Sequence, residues 1–300
     1  MEAVMDERGL TEQPSQELLD LYDEYAHGLI SRRRFFDQLK TYAVGGATVA
    51  SLAGILMPKY AAAQQIRWFD ERIVQEYQTY TSPNGGGEMR GLYVEPAGRE
   101  AALGGVVVIH ENRGLNPHIE DVARRVALAG YVAFAPDALA PLGGYPGNDD
   151  DGRALQRERN RSEMLEDFIA AADFLKAKES CSGKVACTGF CFGGAIANYM
   201  AVRIPDLAGA VPFYGGWPSA DDAASVKAPL LIHLGGLDKR VNAGWPPYES
   251  ALHKAGADVE AHIYEGANHG FHNDSTPRYD EAAAKLAWKR TLTFFEKHLS

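Results

Sequence analysis

The sequence predicts an α/β fold: a mostly parallel central sheet covered by helices on both faces. Three observations carry this. Short runs are apolar on both faces, as in Val106-Val107-Val108-Ile109; helix-patterned stretches such as Ile119 to Leu128 separate them; and a strand meets a helix in the glycine-packed junction Gly189-Phe190-Cys191-Phe192-Gly193-Gly194. A strand apolar on both faces needs cover on both, and parallel neighbours need helical crossovers.

The elements follow in order. Val74 to Tyr80 and Glu88 to Glu95 alternate as strands around Ser82-Pro83-Asn84-Gly85-Gly86-Gly87, which predicts an antiparallel hairpin. Val106 to Ile109 reads as a buried strand, Ile119 to Leu128 as a helix and Tyr131 to Ala135 as the next strand. Asp137 to Arg161 reads as irregular, either a substrate-facing flap or a solvated loop. It carries Asp149, Asp150 and Asp151, but no His or Glu stands at calcium- or zinc-loop spacing, so no metal is expected there. Met164 to Leu175 then makes a crossover helix and Lys184 to Thr188 the strand before the junction. Gly209 to Tyr214, Pro229 to Leu234 and Val259 to Tyr264 supply the remaining strands, and Ala282 to His298 a closing helix.

Residues 1–63 differ from the body, residues 64–300. Gln16 to Gly28 is an acidic amphipathic helical stretch with Leu18, Leu19, Tyr22 and Tyr25 on one face. Ser31-Arg32-Arg33-Arg34-Phe35-Phe36 precedes a moderately apolar run from Tyr42 to Met57, and Ala61-Ala62-Ala63 follows. That order resembles a twin-arginine export signal, which implies a periplasmic protein cleaved to begin at Gln64. The alternative is a cytoplasmic protein in which residues 16–60 form ordinary helices on the body or on another subunit of a homo-oligomer. The run, diluted by Gly45, Gly46 and Gly54, is too short and weak for a stable membrane anchor.

Bulk composition narrows the function. A net charge of −10 argues against nucleic acid or an anionic membrane as partner. Three cysteines, all between Cys181 and Cys191, build no disulfide framework, although a Cys181–Cys187 bridge stays open.

The glycine-packed junction carries the chemistry. A sharp strand–turn–helix with glycines two residues either side of Cys191 is the nucleophile elbow of α/β-hydrolases, with sulfur in place of oxygen. The next amide, Phe192, would lie at a helix start that favours thiolate and oxyanion alike. Asp238, after Leu231 to Leu237, and His269, in Gly266-Ala267-Asn268-His269-Gly270-Phe271, complete the order nucleophile, acid, histidine. His233 and His272 are rival bases, His233 inside an apolar run and His272 three residues past His269.

These stretches, together with His110-Glu111-Asn112-Arg113-Gly114, resemble the dienelactone hydrolases from about Gly87 to the C-terminus. Val108 to Pro117 and Gly143 to Asp150 are similar to an uncharacterised enterobacterial-type branch of that family. The resemblance implies a cofactor-free hydrolase of a small-molecule ester or lactone with Cys191, His269 and Asp238 as triad. It implies Asn112 as a second oxyanion donor beside Phe192, and a glutamate, Glu111, that contacts the resting nucleophile. Two substrate-binding arginines of the family have no counterpart, with Asn273 in one region and no arginine in Ala138 to Leu142; Arg113 is a candidate replacement. Tyr145, Tyr214, Trp217 and Phe271 suggest an aromatic-lined pocket. The competing readings are a peptidase on the same fold, a catalytically silent binding protein, and a redox sensor using Cys187 and Cys191.

Overall fold

The computed structural model describes residues 14–44 and 47–300. An N-terminal arm holds α1 (Gln16–Ala26), α2 (Arg32–Tyr42), α3 (Val49–Leu56) and α4 (Tyr60–Ala63). The body begins with β1 (Ile73–Ser82), β2 (Gly87–Pro96), β3 (Leu103–Ile109), α5 (Pro117–Leu128) and β4 (Val132–Pro136). It continues through α6 (Asp149–Glu158), α7 (Arg161–Lys176), β5 (Cys181–Phe190), α8 (Phe192–Arg203), β6 (Gly209–Phe213) and β7 (Leu230–Gly235). It closes with α9 (Lys239–Asn242), α10 (Trp245–Ala255), β8 (Val259–Tyr264) and α11 (Glu281–Leu299).

The eight strands form one sheet in the order β1-β2-β4-β3-β5-β6-β7-β8. The hairpin β1–β2 and the β2–β4 pair are antiparallel; every other pairing is parallel. Alternation along each strand splits the core into two layers. In β3, Val107 and Ile109 enter one hydrophobic cluster, Val106 and Val108 the other. Period-two side chains and a cover on each face produce that division. Strand β5, which ends just before Cys191, lies between β3 and β6, so its C-terminal end falls where an open parallel sheet presents its ligand edge.

One expectation changes and one open alternative closes. The stretch Asp137 to Arg161 is not irregular throughout, because Asp149 opens α6. Asn148 caps that helix, its Oδ1 accepting from the Asp151 amide at 3.0 Å. Three carboxylates in a first turn suit the positive end of the helix dipole. The sequence hid this helix because its face is arginine and aspartate rather than apolar. The cysteines Cys181, Cys187 and Cys191 are all free thiols.

The arm has its own small core, built from Tyr22, Tyr25, Phe35, Leu39 and Leu56. Polar contacts fasten it to the body: Tyr60 Oη donates to Asp149 Oδ1 at 2.8 Å, and the Lys59 amide to Ser275 O at 2.7 Å. Arg278 pairs with Asp23, and Tyr25 and Arg32 both bond Asp150. The arm thus packs on the body as short helices. No helix among the described residues is long and apolar enough to cross a membrane. The diluting Gly45 and Gly46, and the stretch before residue 14, lie outside the described residues.

Candidate active site

Cys191 stands between β5 and α8 with φ 56° and ψ −108°, in the positive-φ region that side chains rarely adopt. The surrounding glycines make that turn sterically feasible. A Cβ on Gly189 would lie 2.0 Å from Gly193 O, one on Gly193 2.4 Å from Ile109 O, and one on Gly194 2.4 Å from Phe213 O. Strand and helix are therefore in backbone contact.

Two strand ends supply its partners. Asp238 follows β7 and caps α9, its Oδ1 accepting from the Val241 amide at 3.1 Å while Oδ2 lies 2.5 Å from His269 Nδ1. His269 follows β8, buried against the Tyr214 ring at 4.9 Å between centroids. With Nδ1 committed to Asp238, the ring turns Nε2 toward the sulfur, and the two atoms lie within 4.8 Å. Burial alone would push the Cys191 thiol up; the positive charges of His269 and of His27 outweigh it and bring the group down to about 5. Burial would likewise lower His269, but the thiolate charge and the bond to Asp238 raise it to about 10. The two shifts run in the directions that favour a thiolate beside an imidazolium.

The rival histidines do not reach this centre. His233 is buried and satisfied, 3.2 Å from Thr291 Oγ1 and accepting from Tyr264 Oη at 3.0 Å. His272 stacks on Phe190 at 5.1 Å, and burial pushes it well below its ordinary range.

Other expected residues divide. The Phe192 N–H is one of the unpaired donors at the start of α8, and Phe192 and Asn112 line a common cavity of about 320 Å³ with His27 and Met164. Arg153, Arg157, Arg159 and Arg161 line it too. Arg153 bonds Asp150 and Arg159 bonds Asp167; no ion pair holds Arg157 or Arg161 among the described residues. Tyr145 belongs elsewhere, its hydroxyl 3.0 Å from Asp149 in a second cavity formed with the arm. Phe271 is wholly buried against Tyr214 and Tyr264, and Trp217 packs on Trp245 while its Nε1 donates to Val241 O at 2.8 Å. The expected aromatic-lined pocket is thus core packing at Phe271 and Tyr214, while Trp217 is half-buried against the opposite core layer.

Glu111 and Arg113 are both 2 % exposed. Glu111 accepts from Asn273 Nδ2 at 2.9 Å and lies 3.9 Å from Arg113 Nη2, which in turn leaves Arg113 Nη1 on Asp149 at 2.8 Å. Among the described residues neither bonds Cys191. The contact with the resting nucleophile that the resemblance assigned to Glu111 is made instead by His27 of the arm. Its Nε2 lies 3.4 Å from Cys191 Sγ and 3.1 Å from His269 Nε2. Gly28 at φ 68° stops α1 there, leaving His27 as the cap; Nδ1 sits 2.8 Å from Asp23 O and 3.1 Å from Asp23 Oδ2. The neighbouring Ala26 carbonyl accepts from Asn112 Nδ2 at 2.9 Å. Sequence reasoning missed His27, for a lone histidine ending a helix 164 residues before Cys191 carries no local signal.

A strained elbow under a parallel sheet edge, with an acid and a histidine from successive strand ends, defines an α/β-hydrolase. The dienelactone hydrolase family profile matches residues 89–299, and the chain belongs to that family, a hydrolase of the dienelactone hydrolase type. A second profile, YqhI-like, matches residues 6–43. The fragment YghX of Escherichia coli K12 is 60% identical over 111 residues, 37% of this chain and 95% of the fragment. Protein usf of Aquifex pyrophilus is 38% identical over 208 residues, covering 65% of this chain and 89% of its own. Among solved structures, the dienelactone hydrolase-like promiscuous phosphotriesterase P91 from metagenomic libraries superposes with a TM-score of 0.67 at 25% identity. That match covers 76% of this chain and 100% of P91.

Proposed function

We propose that this protein hydrolyses a carboxylic ester or lactone through a Cys191-His269-Asp238 triad and a thioester intermediate. The observation that carries the reading is Cys191 at φ 56° with its thiol brought down to about 5, beside an imidazole held by Asp238 at 2.5 Å. The sulfur attacks the carbonyl carbon, and the Phe192 and Asn112 amides take the oxyanion. The carbon–oxygen bond breaks as His269 Nε2 gives its proton to the leaving alkoxide. His269 then takes a proton from water, which attacks the thioester and restores the thiolate. The His27 ring occupies the space beside His269 Nε2 that a leaving oxygen needs, so substrate entry displaces it.

Arg157 and Arg161, in the cavity beside Phe192 and Asn112, favour a substrate whose acyl part is anionic. They stand in for the family arginines absent around Asn273 and Ala138. The test is turnover of p-nitrophenyl acetate and of a carboxylate-bearing lactone. Both are expected to be lost in Cys191→Ala and kept in Cys187→Ala, whose thiol is fully buried. In Arg157→Ala and Arg161→Ala, KM should rise for the anionic substrate alone. Turnover that survives Cys191→Ala sinks the mechanism. A phosphate triester belongs in the same panel, since the solved relative P91 is described as a promiscuous phosphotriesterase.

Twin-arginine export stands beside this as a proposal about the arm, resting on Arg32-Arg33-Arg34 before Phe35 and on Ala61-Ala62-Ala63. Cleavage there would strip His27 from the site. N-terminal sequencing of native protein decides it, since an intact arm rules cleavage out.

A further inference from the structure

We propose that His27, Cys191 and His269 form a zinc-class metal site that exists only while the N-terminal arm is docked, and that its occupation silences the thiol. The inference rests on the thiol-hydrolase reading for its consequence, but not for the site itself.

The donor geometry comes first. Sγ and the two Nε2 atoms lie within 4.8 Å of one another, with a nitrogen–nitrogen distance of 3.1 Å and a His27 nitrogen–sulfur distance of 3.4 Å. A tetrahedral zinc ion with its usual bonds to nitrogen and sulfur sets edges of roughly 3.4 Å between nitrogens and roughly 3.6 Å between nitrogen and sulfur. Two edges of the triangle are therefore close to those of that tetrahedron; the third, from His269 Nε2 to the sulfur, lies within 4.8 Å and would close on the ion, leaving a fourth position for water.

The second argument concerns lone pairs. His269 turns Nδ1 to the Asp238 carboxylate at 2.5 Å, and His27 turns Nδ1 to the Asp23 carbonyl at 2.8 Å with that residue's carboxylate at 3.1 Å. Nδ1 donates in each, so in the neutral rings both Nε2 atoms present lone pairs to each other and to a thiolate. Three electron-rich atoms converging on one point need a cation between them. Protons fill that role in the resting hydrolase. A divalent ion takes the same three lone pairs, releasing the protons, and the two carboxylates are the outer partners that metal-bound histidines use.

The charges around the point are Asp23 and Asp238 on one side and two arginines on the other. Arg278 is taken by Asp23. Arg240 Nη2 lies 3.1 Å from His27 Nε2 and 3.4 Å from His269 Nδ1 and opposes a metal, so this exposed side chain must turn into solvent for the ion to enter. A metal here would hold the sulfur as a ligand and so block attack.

The experiment titrates metal-free full-length protein with Co²⁺. One ion per chain should give a near-ultraviolet sulfur-to-cobalt band and intense tetrahedral visible bands, the sulfur band vanishing in Cys191→Ser. Zn²⁺ should displace cobalt and stop ester turnover, and a chelator should restore it. Zinc inhibition should weaken about 10- to 100-fold in Asp23→Asn, the variant least disturbing to the fold, and more than about 100-fold in His27→Ala. A cobalt spectrum without a sulfur band, or His27→Ala inhibited at the same zinc concentration as the parent, overturns the proposal. Metal-free protein that turns over no ester yet still gives the sulfur band would support the metal site and sink the hydrolase reading.

Discussion

The pairs Asp238–His269 and Asp23–His27 hold their imidazoles alike, carboxylate on Nδ1 and Nε2 toward the same sulfur, yet the chain builds them differently. In the body, acid and base hang from the ends of β7 and β8, adjacent parallel strands paired from Leu230↔Val259 to Gly235↔Tyr264. Asp238 is further tied down by the Val241 amide. In the arm, acid and base are i and i+4 neighbours at the C-terminal end of one helix, and Asp23 is partly exposed. The body's pair is fixed by a sheet buried on both faces, and the arm's by a single helical turn resting on polar contacts. On the proposed mechanism, fixed geometry suits the base, and a ring held by one helical turn suits an occupant that leaves when substrate comes.

This contrast can be broken by substitution. The largest effect should come from Asp238→Asn, a fall of about 10⁴-fold in kcat by analogy with loss of the orienting acid from a serine triad. Asp23→Asn should cost far less, and the opposite order in steady-state kinetics would make the arm's pair the working one. Next, Leu39→Ala empties a site that is fully buried in the arm's own core and should cost the arm about 2–5 kcal/mol. Limited proteolysis should then cut between residues 14 and 63 while the body's thermal transition stays put. A single shifted transition would mean that arm and body fold as one unit.

Gly193→Ala should be smaller, about 1–3 kcal/mol of global stability by denaturant titration, since its Cβ meets backbone at 2.4 Å. The smallest effect is in pH. Alkylation of Cys191 by iodoacetamide requires thiolate, and the folded thiol has been lowered to about 5. The rate should therefore hold from neutral pH downward and drop about tenfold per unit only below that value. A fall beginning near 8 would show that the imidazoles do not charge the sulfur.

Much of the body was legible because its signals are local. Buried strands announced themselves as short apolar runs, the hairpin by its Pro-Asn-Gly turn, and the elbow by glycines at fixed offsets from Cys191. The order Cys191, Asp238, His269 was readable for the same reason, each residue closing a strand. What stayed hidden had no period. Helix α6 shows charge rather than an apolar stripe, and Phe271 has the composition of a pocket wall but the burial of a core.

The sequence alone determined the sheet, the turn that strains Cys191 and the acid and base that follow it, because steric limits and side-chain periodicity act over a few residues. Only the tertiary structure decided that α1 lies across the sheet edge and sets His27 against the sulfur. That contact spans 164 residues and depends on how Asp23, Tyr25, Arg32 and Tyr60 meet Arg278, Asp149 and Asp150. Charged contacts of that kind leave no pattern along the chain, for their partners are chosen by the fold.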